Sequence, residues 1–201
     1  MINQKQKAVF IDKDGTLIPD IPYNVNVDLI EIETTTIEGL KELKKQGFLF
    51  IVVSNQSGLA KGYFSEEDLK KVNERISGLL WQHRLTIDGF YYCPHHPEAV
   101  IKKYAVECDC RKPLPGLIYK AAKDFDIDLL QSWMIGDILN DVEAGKRAGC
   151  RTILLDNGNE TEWIMNEWRT PDLTASNIYE AASLIKASSK KAVLHERMGR
   201  L

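Results

Sequence analysis

The chain has 201 residues, of which 44% are hydrophobic and 27% charged, with a formal net charge of -3. That length buries a full core, so one domain is the default, and the composition is that of an ordinary soluble globule. The slight acidity supplies no field for nucleic acid, no stretch reaches the length of a membrane span, and the opening MINQKQK has no apolar region or cleavage site behind its lysines; a cytoplasmic monomer acting on a small molecule is expected.

Ala8 to Ile11 reads as a buried strand, broken by Gly15 and Thr16. Asp12 and Asp14 stand at its C-terminal tip, in the crevice where open α/β sheets bind ligands. One carboxylate there can attack phosphorus while the other moves a proton, with magnesium offsetting their charge. Acids beside a glycine also suit a plain solvated turn. Residues 15–33, with two prolines and Asn24, read as an irregular link. Ile37, Leu40, Leu43 and Lys44 then mark a helix with one apolar stripe, ended by Gly47. Phe48 to Val53 is the second strand. SNQSG follows it, so Ser54, Asn55 and nearby backbone N–H groups can hold a phosphoryl oxygen, although polar turn residues after a strand are common. A helix starts at Ser65 as a capping box, with Asp68 at its third place; Leu69, Val72, Ile76, Leu79 and Leu80 form its apolar face.

Gly89 to Tyr92 is the third strand, and residues 93–114 are a second long irregular link. Links of that length commonly carry function. Cys93 and His95, then Cys108 and Cys110, form two close pairs with twelve residues between them. Thiolates plus an imidazole suit tetrahedral zinc, and four protein ligands leave no open position, so such an ion would be structural. Unligated thiols or a disulfide are the alternatives, the latter disfavoured in a reducing cytosol. His96 competes for the imidazole role, and spacing does not decide between the two. Arg111 could present a rigid fork to a phosphate. Lys112 precedes Pro113 and is biased to an extended conformation; its ammonium can neutralise a carboxylate and a transferring phosphoryl group. Both cations also read as plain surface side chains. Leu117 to Phe125 is a helix, and the fourth strand, Trp133 to Ile135, delivers Asp137, with Asp141 one helical turn on. Val142 to Ala148 is a helix, Cys150 a buried inert thiol, Thr152 to Leu155 a strand and Ile178 to Ile185 a helix. One domain over residues 1–187 with a basic tail at 188–201 is expected, the tail reading as a surface helix or frayed end.

Short strands alternating with helices predict an α/β fold with a mainly parallel sheet covered on both faces. Acid pair, hydroxyl, lysine and acid each follow their own strand, which is more specific than any one of them. Between residues 8 and 155, the phrases DKDGTL, VVSNQSGLAKGYFS, YYCPHHPE, CDCRKPLPG and GDILNDVEAG resemble the haloacid dehalogenase superfamily. The resemblance narrows to its histidinol-phosphatase branch, and there to members acting on heptose bisphosphates.

That resemblance implies a three-layer Rossmann-like fold with no separate cap domain, carrying a magnesium-dependent phosphomonoesterase. Asp12 would be the nucleophile that forms an aspartyl phosphate, Asp14 the general acid and base, and Lys112 the neutralising cation. Ser54 and Asn55 would bind the phosphoryl group. Asp12, Asp137 and the main-chain carbonyl of Asp14 would hold magnesium, and His95, not His96, would complete the zinc set. The implied substrate is D-glycero-D-manno-heptose 1,7-bisphosphate, cleaved at the 7-position, with Arg111 on the second phosphate; histidinol phosphate or another small sugar phosphate is the alternative. Two positions depart from the branch: Ile138 replaces a charged or small polar residue, and Lys13 replaces arginine. A zinc-stabilised binding domain without activity is disfavoured because Asp12, Asp14, Lys112 and Asp137 are all present. A mutase is disfavoured by the missing cap.

Overall fold

Apolar runs of strand length, separated by amphipathic helices, can pair only in parallel once each helix crosses back over the sheet. The computed structural model, which describes residues 5–198, has that architecture. Six strands, β1 (Lys7–Ile11), β2 (Phe48–Asn55), β3 (Gly89–Cys93), β4 (Trp133–Gly136), β5 (Arg151–Leu155) and β6 (Leu173–Ala175), form one parallel sheet in the order β3-β2-β1-β4-β5-β6. The helices are α1 (Thr34–Lys45), α2 (Ser57–Lys61), α3 (Glu66–Trp81), α4 (Gly116–Asp124), α5 (Leu139–Ala148) and α6 (Ile178–Met198).

Strand β1 shows why its sequence is a continuous apolar run. Val9 and Ile11 face a core built with Leu40 and Leu43 of α1, Ile76 of α3 and Ile185 of α6. Ala8 and Phe10 face the opposite core, with Ile118 of α4 and Ala144 of α5. A strand buried on both faces has no polar side to alternate. The result is three layers, as expected. The capping box of α3 also forms: Ser65 Oγ accepts from Asp68 N at 3.2 Å and Asp68 Oδ2 accepts from Ser65 N at 3.0 Å.

Three features differ from the sequence pattern. Strand β6 is only three residues long, with Thr174 exposed, too short to leave a periodic signal. Residues 57–61 of the expected turn wind into the five-residue α2, closed by Gly62 in the left-handed region. The last helix runs on to Met198, past Ile185, where the expected helix ended, and into the stretch that reads as a surface helix or frayed end. The two long links carry only a helical turn each, at Val27–Leu29 and Lys102–Tyr104, and no separate cap domain interrupts the described chain. Among the described residues, no helix is long and apolar enough to cross a membrane.

The strand order reverses between β1 and β4, whose neighbours on the two sides are β2 and β5. At such a point the loops leaving the two strands part and open a crevice. Asp12 follows β1 and Asp137 follows β4, and the hydrogen bond from Asp12 N to Ile135 O, at 3.0 Å, keeps the two tips in register.

Candidate active site

Four of the expected groups meet at that crevice. Asp12, Lys112 and Asp137 are buried, as is Ser54 at the end of β2. The Lys112 ammonium pairs with Asp12 Oδ1 and Asp141 Oδ1 and donates to Val53 O at 3.0 Å, so each of its three protons has an oxygen to face. Asn55 holds the backbone of that lysine from both sides: Asn55 Nδ2 donates to Lys112 O, and Lys112 N donates to Asn55 Oδ1, each at 3.0 Å. The carboxamide of Asn55 is thereby committed to placing Lys112.

Asp14 is partly exposed beside this group. Lys13 Nζ donates to its Oδ1 at 2.7 Å and Gln56 Nε2 to its Oδ2 at 2.9 Å. Gln56 Nε2 also donates to Ser54 Oγ at 2.7 Å, which leaves the Ser54 hydroxyl proton to donate elsewhere. Arg111 Nη1 donates to His95 O at 3.2 Å, which ties the guanidinium to the cysteine–histidine loop.

Charge in the crevice is unbalanced. Carboxylate oxygens of Asp12, Asp137 and Asp141 lie within 4.8 Å of one another, against the single ammonium of Lys112. Burial pushes the Asp12 carboxyl well above its ordinary value; Lys112 opposes this, while Asp141, Asp137 and Asp14 add to it. Asp137 is pushed up to about 6, by burial first and by Asp141 second, against the hydrogen bonds it accepts from Asn159 and Thr16. Burial works against the Lys112 ammonium, but Asp12 and Asp141 outweigh it and hold the lysine charged. Asp141 Oδ1 is fully buried and is met by that ammonium as an ion pair. Three buried carboxylates set against one ammonium are costly. A hard divalent cation takes oxygen donors of this kind, and the donor set fits magnesium.

A second cluster lies in the link after β3. Cys93 Sγ is 3.7 Å from Cys108 Sγ and 3.1 Å from Cys110 Sγ, and His95 Nδ1 is 3.6 Å from Cys93 Sγ and 3.3 Å from Cys110 Sγ. None of the cysteines is disulfide-bonded, and the sulfurs stand well beyond the disulfide bond length of about 2.0 Å. His96, the competing imidazole, instead accepts from Glu98 N at Nδ1, at 3.1 Å. Cys150 is buried apart from this group, and burial pushes its thiol up to about 12, as expected of an inert side chain.

The sequence pattern does not single out Asp141 as a member of the crevice, nor Thr16, Gln56 or Asn159. Asp141 was visible as the residue one helical turn beyond Asp137. The other three are polar loop residues of the commonest kind, and only their contacts distinguish them. Thr16 Oγ1 donates to Asp137 Oδ1 at 3.0 Å, and Asn159 Nδ2 to Asp137 Oδ2 at 2.8 Å.

Known proteins share both the sequence and the fold. The HAD-hydrolase-like family matches residues 109–181, the stretch that holds Lys112, Asp137 and Asp141. A D-glycero-beta-D-manno-heptose-1,7-bisphosphate 7-phosphatase of Pasteurella multocida is 42% identical over 154 residues, 76% of this chain and 83% of that protein. The enzyme of the same name from Salmonella typhi is 38% identical over 168 residues, 79% of this chain and 89% of that one. A solved D,D-heptose 1,7-bisphosphate phosphatase of B. bronchiseptica, complexed with magnesium and phosphate, is 26% identical, covers 91% of this chain and 99% of its own, and superposes with a TM-score of 0.73. With that identity running through most of both chains and with its acids gathered at the switch point of a parallel sheet, this chain belongs to the haloacid dehalogenase superfamily as a phosphoric monoester hydrolase.

Proposed function

We propose that the chain removes the 7-phosphate of D-glycero-D-manno-heptose 1,7-bisphosphate, with the β anomer taken from the names of its relatives. The observation that carries the chemistry is the buried Lys112 ammonium joining Asp12 to Asp141 in the crevice between β1 and β4. In this reading a carboxylate oxygen of Asp12 attacks phosphorus in line, and the bond from phosphorus to the sugar oxygen breaks. Asp14 gives its proton to the departing oxygen. It then takes a proton from water, which attacks the aspartyl phosphate and frees Asp12 and inorganic phosphate. The partial exposure of Asp14 suits a group that must meet first a sugar and then water. Lys112 holds Asp12 and offsets charge on the phosphoryl oxygens, and Ser54 donates to one of them. Asp12, Asp137 and the main-chain carbonyl of Asp14 would hold magnesium, with Asp141 close by; when bound, the ion offsets the negative charge of carboxylates and phosphoryl group together. Asn55 serves the phosphoryl site through Lys112, and Arg111 reaches the second phosphate.

Cys93, His95, Cys108 and Cys110 would bind one structural zinc. Their sulfur separations of 3.1 and 3.7 Å approach the edge of about 3.8 Å that a tetrahedron of zinc–sulfur bonds requires. Burial pushes the thiols of Cys93 and Cys110 up, and a zinc ion would reverse this by taking the thiolates. The ion would stiffen the link over 93–114 that carries Arg111 and Lys112.

The test is phosphate release, with magnesium, from both anomers of the heptose 1,7-bisphosphate and from histidinol phosphate. Preferential turnover of the heptose is expected, together with its collapse in a folded Asp12→Asn variant. A preference for histidinol phosphate would overturn the substrate, and near-normal turnover by Asp12→Asn would overturn the covalent mechanism.

A further inference from the structure

The loop between β5 and β6 bears none of the expected catalytic groups, yet three of its side chains reach into neighbouring loops. Asn157 Nδ2 donates to Gly15 O at 2.7 Å. Glu160 Oε2 accepts from Leu139 N, at the start of α5, at 2.6 Å, while its Oε1 accepts from Glu162 N within the loop at 2.8 Å. Between these two anchors, Asn159 Nδ2 donates to Asp137 Oδ2 at 2.8 Å. The loop therefore ties the turn after β1 to the turn after β4, and its central contact falls on a carboxylate of the crevice.

The geometry at Asp137 is two-sided. Thr16 holds Oδ1 and Asn159 holds Oδ2. The terminal torsion of an aspartate is broad, so one hydrogen bond leaves the carboxylate plane free to swing; two donors on different oxygens fix it. Both donors are neutral, so the charge stays available to a cation, and each oxygen keeps a lone pair for one. Gly15 supplies the room. A Cβ there would lie 2.1 Å from Asp137 Oδ2 and 2.5 Å from Asn159 Nδ2, so no side chain fits beside this hydrogen bond.

We propose that Asn159 is a positioning residue that sets the orientation of Asp137 for its divalent cation; this rests on the reading of Asp137 as a ligand. Outer partners of metal ligands are worth about 10- to 100-fold in metal affinity or activity. Asn159→Leu and Asn159→Ala should each weaken magnesium binding about tenfold, measured by calorimetry on protein dialysed free of magnesium without a strong chelator. Turnover should return toward wild type at saturating magnesium, with the substrate KM unchanged. Asn157→Ala removes an anchor of the same loop, with the hydrogen bond that Asn159 N donates to Asn157 Oδ1 at 3.3 Å, but keeps the side-chain amide that donates to Asp137, so it should lower the melting temperature and spare magnesium affinity. Asn159 variants that are folded and bind magnesium like wild type would overturn the proposal. So would an Asn157→Ala variant that loses as much affinity, because the loop and not the amide would then be responsible. A wild-type protein that takes up no magnesium would overturn the ligand reading of Asp137, and this inference with it.

Discussion

Asp137 is destabilising where it stands, and the sign of that effect is open to measurement. Its folded value of about 6 lies above the ordinary 3.8, so the folded state holds the proton more tightly than the unfolded chain. The contribution to stability is present at low pH and is lost as pH rises through about 6. Asp137→Asn should therefore stabilise the metal-free protein at pH 8 by about 1–3 kcal/mol, and much less near pH 4, where the acid is largely protonated already. The same change should abolish the rise in melting temperature on adding magnesium. Thermal melts of both proteins across that pH range check all three statements, and a variant less stable than wild type at pH 8 would refute the account. Gly15 is the second residue whose identity is dictated locally. Its φ of +82° and the blocked Cβ position predict that Gly15→Ala costs about 1–2 kcal/mol from the backbone alone and also weakens magnesium binding by displacing Asp137. Melting temperature and calorimetric affinity should fall together.

Among the elements, the link over 93–114 is long and has only Cys93 and Tyr104 as buried apolar residues. It carries a single helical turn, Lys102–Tyr104, and the cysteine–histidine cluster joins its two ends. Elemental analysis of protein purified without chelator should return about one zinc per chain. Its removal should raise amide exchange across 93–114 and leave the strands of the sheet protected, because metal binding and loop order are coupled. An oxidised cysteine pair with no zinc would overturn the assignment. Helix α3 depends on a different device. Its capping box uses aspartate, and Ser65→Ala should cost about 1 kcal/mol in chemical denaturation.

At the scale of the molecule, one parallel sheet brings groups from distant parts of the chain to a single crevice, and the link over 93–114 carries Arg111 next in the chain to Lys112. If Arg111 reaches the second phosphate, Arg111→Ala should lower kcat/KM for the bisphosphate more than for a monophosphate ester; equal losses would remove that role. Much of this arrangement was legible beforehand. Asp12 and Asp137 follow, and Ser54 ends, a strand that is buried on both faces and is therefore a plain apolar run, so their places at the sheet's edge follow from local pattern alone. The three zinc-candidate cysteines were legible because cysteine is rare enough for spacing to mean something, while the choice of His95 over His96 rested on the resemblance alone. Strand β6, α2 and the reach of α6 were not, since short or weakly patterned segments take their conformation from what they pack against. Nor could local pattern have found Asn159, Thr16 or Gln56. Polar residues in loops are everywhere, and what sets these apart is the carboxylate each one meets, 22 and 121 positions away for the first two and 42 for the third. The sequence by itself determined five of the six strands, the helices that cover them and the ligand-bearing links, because periodicity and turn chemistry are local. The tertiary structure decided that Lys112 spans Asp12 and Asp141, and that Asn159 steadies Asp137, because hydrogen bonds of about 3 Å between distant loops exist only once the strand order has brought those loops together.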